Sequence, residues 1–316
     1  MPRYYLGLDG GQSSTTALIA DDEGRVVGAG RAGPCNHISG AGARERFLAV
    51  IRDCLLQASR EIGDGSTIPS FAAACLGFSG GGEDKAAHCS ELISTLRLKI
   101  THDAEVALIG ATAGEPGIIV IAGTGSIAFG RNAAGRTARA GGWGYIFGDE
   151  GGAFDLVRRA LRAALKFEEG WGSPTSLYRM LLDATGTGSA NELLHRFYAD
   201  MARKNIAALA PLVTSCANAG DRVAEAIITE SVDALSRYVE GVYRTLFTAP
   251  ETVTVAHIGG VFQSARVLQI LVERVRELIG CEAVYPRFSP AGGAVLEALR
   301  LDGNLSKLTG IPEIKT

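Results

Sequence analysis

The sequence predicts an α/β protein with two domains. Its 316 residues are enough for two hydrophobic cores of ordinary size, and 47% of them are hydrophobic. Both halves open on β-strand patterns and continue with strands and helices in alternation, the order expected of α/β domains. Three glycine-bearing turns, each directly after an apolar β-prone run, are separated by more than a hundred residues.

The first half has the predicted order βββαβαβα. Alternating apolar residues predict a strand meander over residues 3–9, 15–20 and 25–31, with a turn at 21–24. Apolar residues at helical spacing predict an amphipathic helix over 43–62. The remaining predicted elements are a strand (70–78), a helix (84–96), a strand (98–101) and a helix (104–113).

A Gly/Pro cluster at 114–117 marks the predicted boundary between a first domain (1–114) and a second (115–290). The second domain begins with a strand over 118–122, a glycine turn and a strand that ends at Arg131. Residues 152–248 then predict an almost continuous helical insertion with breaks at glycine-bearing segments. The last predicted elements are a strand (252–258), a helix (264–279), a short strand (283–285) and a helix (291–301) that joins the first domain.

Composition excludes several classes of function. The net charge is −3 and the pI is about 6.0, so the chain has no broad basic field for nucleic acid, and we expect a small-molecule ligand. Six dispersed cysteines without a C-x-x-C pair, and five dispersed histidines, predict reduced thiols and no metal cluster or triad. The chain starts without a signal-peptide core and has no apolar run of membrane-spanning length, which predicts a cytoplasmic protein that does not enter membranes.

The first glycine turn follows an apolar strand that ends in Asp9. Next come Gly10, Gly11, Gln12 and Ser13. Their N–H and O–H groups can donate to phosphate oxygens, while the Asp9 carboxylate binds Mg²⁺ through water. The alternative is a tight hairpin with a solvated aspartate.

Two later turns offer donors of the same kind. One contains Gly123, Thr124, Gly125 and Ser126, and the other contains Gly259 and Gly260, with Ser264 at the start of the next helix. For the turn at 123–126 the alternative is an ordinary hairpin turn, and a single G-x-G is weak evidence. This turn is neither a Walker A loop nor a Rossmann G-x-G-x-x-G motif. The order and spacing of all three favour a nucleotide site.

Asp103 lies between a short predicted strand and an apolar helix. A carboxylate at the end of a strand is well placed to accept a proton from an attacking hydroxyl group. The alternative is that Asp103 caps the helix. Asn36 and Ser79, in glycine-flanked loops, are smaller polar candidates of residue types that are also typical of turns.

The segment 141–152 contains six glycines beside a tryptophan. This composition predicts a backbone held close to a ligand at Gly142, an aromatic face for a sugar at Trp143, and a carboxylate for sugar hydroxyls at Asp149. Asp149 could alternatively cap the helix that starts near Gly152.

These motifs together resemble the actin, Hsp70 and sugar-kinase superfamily, and within it the N-acetylglucosamine kinase or BadF/BadG/BcrA/BcrD ATPase family. The resemblance covers nearly the whole chain, and Gly142-Trp143-Gly144 followed by the segment 148–151 is its most specific motif. It implies two actin-like (ribonuclease H-like) α/β domains with an ATP cleft between them. The three turns then correspond to the phosphate-1, phosphate-2 and adenosine segments.

The resemblance also implies a reaction. ATP with Mg²⁺ on Asp9 would phosphorylate the 6-hydroxyl of an amino sugar, with Asp103 as the base and a homodimer as the assembly. The implied sugar-binding residues are Asn36, Ser79, Gly142, Trp143 and Asp149. Gln12 and Cys216 replace residues that are commonly glycine in the family. The alternatives are an ATPase that activates a partner protein, and a sugar sensor without catalysis.

Overall fold

The computed structural model describes residues 2–11, 14–35, 42–63, 66–80, 85–200 and 202–311. The chain forms two compact units. Unit 1 consists of Met1–Glu115 with Pro286–Thr316, and unit 2 is Pro116–Tyr285. Across the described residues, each unit contains one mixed five-stranded sheet with helices packed on it, which confirms the predicted α/β class.

Unit 1 begins with three antiparallel strands and continues with alternating helices and strands. The sheet order is β3-β2-β1-β4-β5. Its elements are β1 (Tyr5–Gly10), β2 (Thr15–Ala20), β3 (Val26–Ala32), α1 (Ala43–Ser59), β4 (Ala73–Phe78), α2 (Ala86–Leu92), β5 (Leu98–His102), α3 (Asp103–Thr112) and, from the end of the chain, α12 (Pro290–Leu301).

The centre of the unit 1 sheet is parallel and buried on both faces. β1 pairs in parallel with β4, and β4 pairs in parallel with β5, so that Gly10 lies opposite Phe78 and Phe78 opposite His102. Every residue of β4 is buried, as expected for a parallel strand covered by helices on both sides. Because parallel strands end at the same edge of a sheet, this register brings the residues after β1, β4 and β5 together.

α3 and α12 cover one face of this sheet. Their apolar residues form a core with Tyr5, Leu18 and Cys75. On β5, the Lys99 ammonium group donates to Glu105 of α3 at 2.9 Å and to Glu297 of α12 at 2.6 Å. The cation therefore links three elements of unit 1.

Unit 2 repeats the strand order of unit 1, with a helical insertion. Its sheet order is β10-β9-β6-β7-β8. Its elements are β6 (Gly117–Ala122), β7 (Ser126–Arg131), β8 (Thr137–Gly141), α4 (Gly144–Phe147), α5 (Ala153–Glu168), α6 (Leu177–Thr185), α7 (Ala190–Asp200), α8 (Arg203–Ala207), α9 (Ala210–Asn218), α10 (Arg222–Leu246), β9 (Thr254–Ile258), a 3₁₀ turn (Gly260–Gln263), α11 (Ala265–Ile279) and β10 (Ala283–Val284).

The long helix α10 forms the centre of unit 2. Its start is capped by Asp221, whose carboxylate accepts N–H groups of Val223 and Ala224 at 2.9 and 3.1 Å. Its buried residues recur at helical spacing and lie in one hydrophobic core with residues of β6, β7, β9 and α11. The helix thus covers one face of the sheet along its 25 residues.

The structure differs from the predicted elements in two places. The sequence pattern gave no strand between Arg131 and the glycine-rich segment, but β8 is present there as an edge strand of mostly exposed or half-buried residues. The helix predicted to reach Leu96 ends at Leu92, and Leu96 is exposed.

All six cysteines lie in the described part of the chain as buried thiols, and none forms a disulfide, in agreement with the prediction of reduced thiols. Among the helices of the described residues, none has the length and apolar character needed to cross a membrane.

Candidate active site

In unit 1, the predicted acids and Ser79 lie at one edge of the sheet. Asp9 is the penultimate residue of β1, Ser79 follows β4, and Asp103 begins α3 directly after β5. The backbone N–H of Ser79 donates to the carbonyl of Gly10 at 3.2 Å, which ties the end of β4 to the first glycine turn. The structure therefore brings Asp9, Ser79 and Asp103 to the same edge of the sheet, together with Gly10 of the first glycine turn.

Two donors orient the Asp103 carboxylate. The Ser79 hydroxyl donates to Oδ2 at 2.5 Å, and the backbone N–H of Ala104 donates to Oδ1 at 2.8 Å. Asp103 is the first residue of α3, whose N-cap is His102, so it does not occupy the cap position. One oxygen is thus satisfied by the helix itself, and the other depends on a hydroxyl from a neighbouring strand end.

Asp9 lies close enough to Asp103 for the two charges to interact. Burial, and then the negative charge of Asp103, raise the pKa of Asp9 from its ordinary 3.8 to about 7. A divalent cation would relieve both causes, because it replaces lost solvation and neutralises the like charges.

This acidic pair fits Mg²⁺ of the kind used in phosphoryl transfer. Such an ion is usually held by one or two carboxylates, with water and substrate phosphates completing the shell. Over the described ranges, no group of three or more His, Cys, Asp or Glu side chains is arranged to hold a metal ion alone. Asp9 and Asp103 are therefore suited to an ion whose remaining ligands are water and phosphate oxygens.

In unit 2, the predicted phosphate turn joins β6 and β7. The N–H of Gly123 donates to the carbonyl of Gly125 at 3.0 Å and closes the turn. The first residues of α5, Ala153 and Phe154, donate to the carbonyls of Gly123 and Thr124 at 2.8 and 3.1 Å. Within the described residues, the N–H groups of Thr124 and Gly125 have no hydrogen-bond partner, so the turn keeps donors for an anion.

The predicted adenosine segment approaches this turn. Gly259 has φ +119°, and a Cβ there would lie 2.3 Å from the carbonyl oxygen of Ala122 and 3.0 Å from the nitrogen of Gly123. Only glycine permits this approach. Gly260 begins the 3₁₀ turn, and the Ser264 hydroxyl caps α11 by accepting the N–H of Val267 at 3.4 Å.

Asp149 faces the same turn from the glycine-rich segment. It is buried and has φ +62°, a left-handed conformation uncommon for residues with a side chain. Its Oδ1 lies 3.4 Å from the N–H of Ser126, and its Oδ2 accepts a hydrogen bond from Arg203 at 2.8 Å. The alternative in which Asp149 caps α5 is wrong, because the cap residue is Gly152 and the left-handed backbone turns the carboxylate toward β7.

Trp143 and Gly142 are presented differently. Gly142 has a left-handed backbone and donates its N–H to the carbonyl of Ser126 at 2.9 Å. The Trp143 ring is 65% exposed, and the guanidinium of Arg139 lies 4.6 Å from the ring centroid. An exposed, cation-stacked indole suits a ligand with an apolar face.

Sequence reasoning missed two residues around this turn, Arg203 and Tyr238. Arg203 pairs with Asp149, and Tyr238 of α10 donates its hydroxyl to Glu150, whose own carbonyl accepts the Ser126 hydroxyl at 2.6 Å. No local signal in the sequence indicates the contacts of Arg203 or Tyr238, because both belong to the helical insertion. Gln12, Ser13 and Asn36 lie outside the described residues.

Two units of the same strand order, with a glycine turn between the first two strands of each, define a protein of the actin-like ATPase and sugar-kinase class. The model of the BadF/BadG/BcrA/BcrD ATPase family matches residues 6–298, and the chain belongs to this family.

Several known proteins similar to this chain are amino-sugar kinases by name. An N-acetylmuramic acid/N-acetylglucosamine kinase of Clostridium acetobutylicum is 33% identical over 273 residues, 84% of this chain and 88% of that protein. An N-acetyl-D-glucosamine kinase of Dictyostelium discoideum is 27% identical over 312 residues, 93% of this chain and 97% of that protein. A solved structure from Chromobacterium violaceum, provisionally described as an N-acetylglucosamine kinase, has a TM-score of 0.75 and 28% identity, with 93% and 98% coverage.

Proposed function

We propose that this chain is an ATP-dependent amino-sugar kinase that transfers the γ-phosphate to the 6-hydroxyl of N-acetylglucosamine or a close relative. The close relatives of this sugar are glucosamine and N-acetylmuramic acid. Two findings support the proposal. The chain belongs to the BadF/BadG/BcrA/BcrD ATPase family, and the similar proteins are named as kinases of these sugars.

The observation that carries the proposal is the hydrogen-bonded pair of Ser79 and Asp103 beside Asp9. Phosphoryl transfer needs a base for the attacking hydroxyl and a carboxylate for the metal that accompanies the phosphates. Donors to both of its oxygens fix the Asp103 carboxylate, and the charge of Asp103 contributes to the raised pKa of Asp9. Asp103 would accept the proton of the 6-hydroxyl.

The remaining proposed roles concern the metal ion, the phosphates and the adenosine group. Asp9 would hold Mg²⁺, which when bound neutralises charge on the phosphates. The free N–H groups at Thr124 and Gly125 would bind phosphate oxygens, together with the turn at Gly10 and Gly11. Gln12 and Ser13 are part of the first turn in this proposal, and Gly259, Gly260 and Ser264 form the adenosine side.

The sugar would contact residues whose polar or aromatic groups were identified from the sequence. These are Asn36, Ser79, Gly142, Trp143 and Asp149. On the basis of the family resemblance, we further propose that the enzyme works as a homodimer. We also propose the cytoplasm as its location, as the sequence pattern predicts.

The test is ADP release from MgATP with glucosamine, N-acetylglucosamine, N-acetylmannosamine, N-acetylmuramic acid, glucose and no sugar. We expect one amino sugar to stimulate turnover. Asp103→Asn should lower kcat by about 10²- to 10⁴-fold, the usual contribution of a general base, while the exposed Asp53→Asn in the same unit should not. Full turnover by Asp103→Asn would overturn the assignment of the base.

A second outcome would point to another class. If ADP release proceeds at the same rate with and without every sugar, the chain is an ATPase that acts on a partner protein. If no ADP is released although the sugars bind, it is a sugar sensor.

A further inference from the structure

Arg203 lies directly on the phosphate turn of unit 2, although it comes from the helical insertion. It is the first residue of α8. A Cβ placed on Gly125 would lie 2.4 Å from Oδ2 of Asp149 and 2.8 Å from a terminal guanidinium nitrogen of Arg203. The ion pair therefore occupies the space that a side chain at position 125 would need.

Several contacts fix the guanidinium at this position. One terminal nitrogen donates to Asp149 at 2.8 Å, and the group lies 5.2 Å from the centroid of the Tyr145 ring. The buried Nε has no hydrogen-bond partner among the described residues. A guanidinium has five N–H donors, so most of them remain available beside the unpaired N–H groups of Thr124 and Gly125.

A structural role alone would be that of a counter-ion for the buried Asp149. That role accounts for the 2.8 Å contact and for the position of the cation near the turn, but it uses only one of the five N–H donors of the guanidinium. The Arg203 side chain is 30% exposed while that of Asp149 is 7% exposed, so the cation lies on the accessible side of the pair. The guanidinium is thus more accessible to a dissolved anion than the carboxylate is.

We propose that Arg203 binds the phosphate chain of the nucleotide at the turn Gly123–Ser126, and that Asp149 holds the guanidinium in place. The inference rests on the proposed function, in which this turn binds ATP. Arginine suits the role because its planar group donates to two oxygens at once and can stack on an aromatic ring at the same time. Asp149 would therefore contribute to nucleotide binding in addition to any contact with the sugar.

The test compares Arg203→Met and Arg203→Lys with wild type in calorimetric titrations of ATP, ADP and adenosine in the presence of Mg²⁺. We expect Arg203→Met to weaken ATP and ADP binding by about 10- to 100-fold, the range for a hydrogen bond to a charged group, and to leave adenosine binding unchanged. Arg203→Lys keeps the charge and should recover part of the loss.

Arg274→Met is the matched control, because it breaks another arginine–aspartate ion pair of unit 2, with Asp233 at 2.7 Å, between α10 and α11. It should bind all three ligands as wild type does. Equal loss of adenosine binding in Arg203→Met, or equal loss of ATP binding in Arg274→Met, would overturn the proposal by showing a general structural effect.

Assays with two sugars distinguish binding of the nucleotide phosphates from binding of an acidic sugar. N-acetylmuramic acid carries a carboxylate and N-acetylglucosamine does not. If Arg203→Met binds ATP normally and loses only turnover of the acidic sugar, the guanidinium recognises the sugar and the proposal is wrong. If wild type itself binds ATP but phosphorylates no sugar, the proposed function fails while the assignment of Arg203 stands on the binding data.

Discussion

Asp9 should make the ligand-free protein less stable as the pH rises. Its carboxyl group has a pKa of about 7 in the folded chain, because it is buried and faces the charge of Asp103, against an ordinary value of 3.8. Folding therefore favours the protonated form. Replacing Asp9 by Asn imitates that neutral form at every pH, so the variant reports what the charge does to stability.

The sign follows from proton uptake. Below pH 3.8 the carboxyl group is protonated in both the folded and the unfolded chain, so it contributes no pH dependence. Between that pH and about 7 only the folded chain keeps the proton, so the free energy of unfolding falls as pH rises, and it levels off above. A shift of about 3 pKa units, at 1.36 kcal/mol each, sets roughly 4 kcal/mol as the upper bound.

The assay is urea unfolding of wild type and Asp9→Asn between pH 5 and 8.5. Most other titrating groups cancel in the comparison, and about 2 to 3 kcal/mol of the effect falls inside this window. We expect Asp9→Asn to gain stability over wild type steadily from pH 5 to about 7.5, and the exposed Asp53→Asn to run parallel to wild type.

Asp103→Asn provides a second variant. It removes the like charge but not the burial, so the pH dependence should become smaller and move to lower pH. If the curves of wild type and Asp9→Asn run parallel over the whole window, Asp9 does not carry a raised pKa. The coupling of the two carboxylates would then be refuted.

Two further substitutions test the turn and the base. Gly125→Ala should lower the unfolding midpoint, because its Cβ would lie 2.4 Å from Asp149 and overpacking of this kind costs about 1 to 3 kcal/mol. The control is Gly123→Ala, whose Cβ meets nothing within 4 Å. Equal unfolding midpoints for the two variants would contradict the close packing at Gly125. Ser79→Ala should lower kcat by about 10- to 100-fold through loss of a hydrogen bond to a charged group, with recovery in Ser79→Thr. A rise in sugar KM alone would instead identify Ser79 as a direct sugar contact.

The acidic edge of unit 1 could be predicted because each of its residues lies at the end of a strand. Asp9, Ser79 and Asp103 each follow or end a strand with a clear apolar pattern, and parallel strands end at a common edge. Knowing the strands was therefore enough to place the side chains near one another. What the sequence pattern could not give is which donor meets which oxygen, such as the contact of Ser79 with Oδ2 of Asp103.

The missing parts of unit 2 depend on contacts between distant segments. Arg203 lies 54 residues from Asp149 in the sequence, within a polar stretch that reads as the surface of a helix. β8 lies at the sheet edge, where exposed and half-buried residues weaken the apolar alternation on which strand prediction depends. The left-handed backbone of Asp149 also has no sequence signal, because the pattern around it is dominated by glycines.

The carboxylates near the glycine turns of the two units have opposite electrostatic surroundings. At the end of β1 and the start of α3, unit 1 places two carboxylates so that the charge of one raises the pKa of the other, an arrangement that a metal ion stabilises. At the equivalent turn after β6, unit 2 pairs its buried carboxylate with Arg203 and leaves backbone N–H groups unpaired. Under the proposed function, a cation would suit the first arrangement and phosphate oxygens would suit the second. Carboxylates at the second turn without a paired cation would repel phosphate oxygens, so under that proposal the two turns need different residues although the strand order is the same.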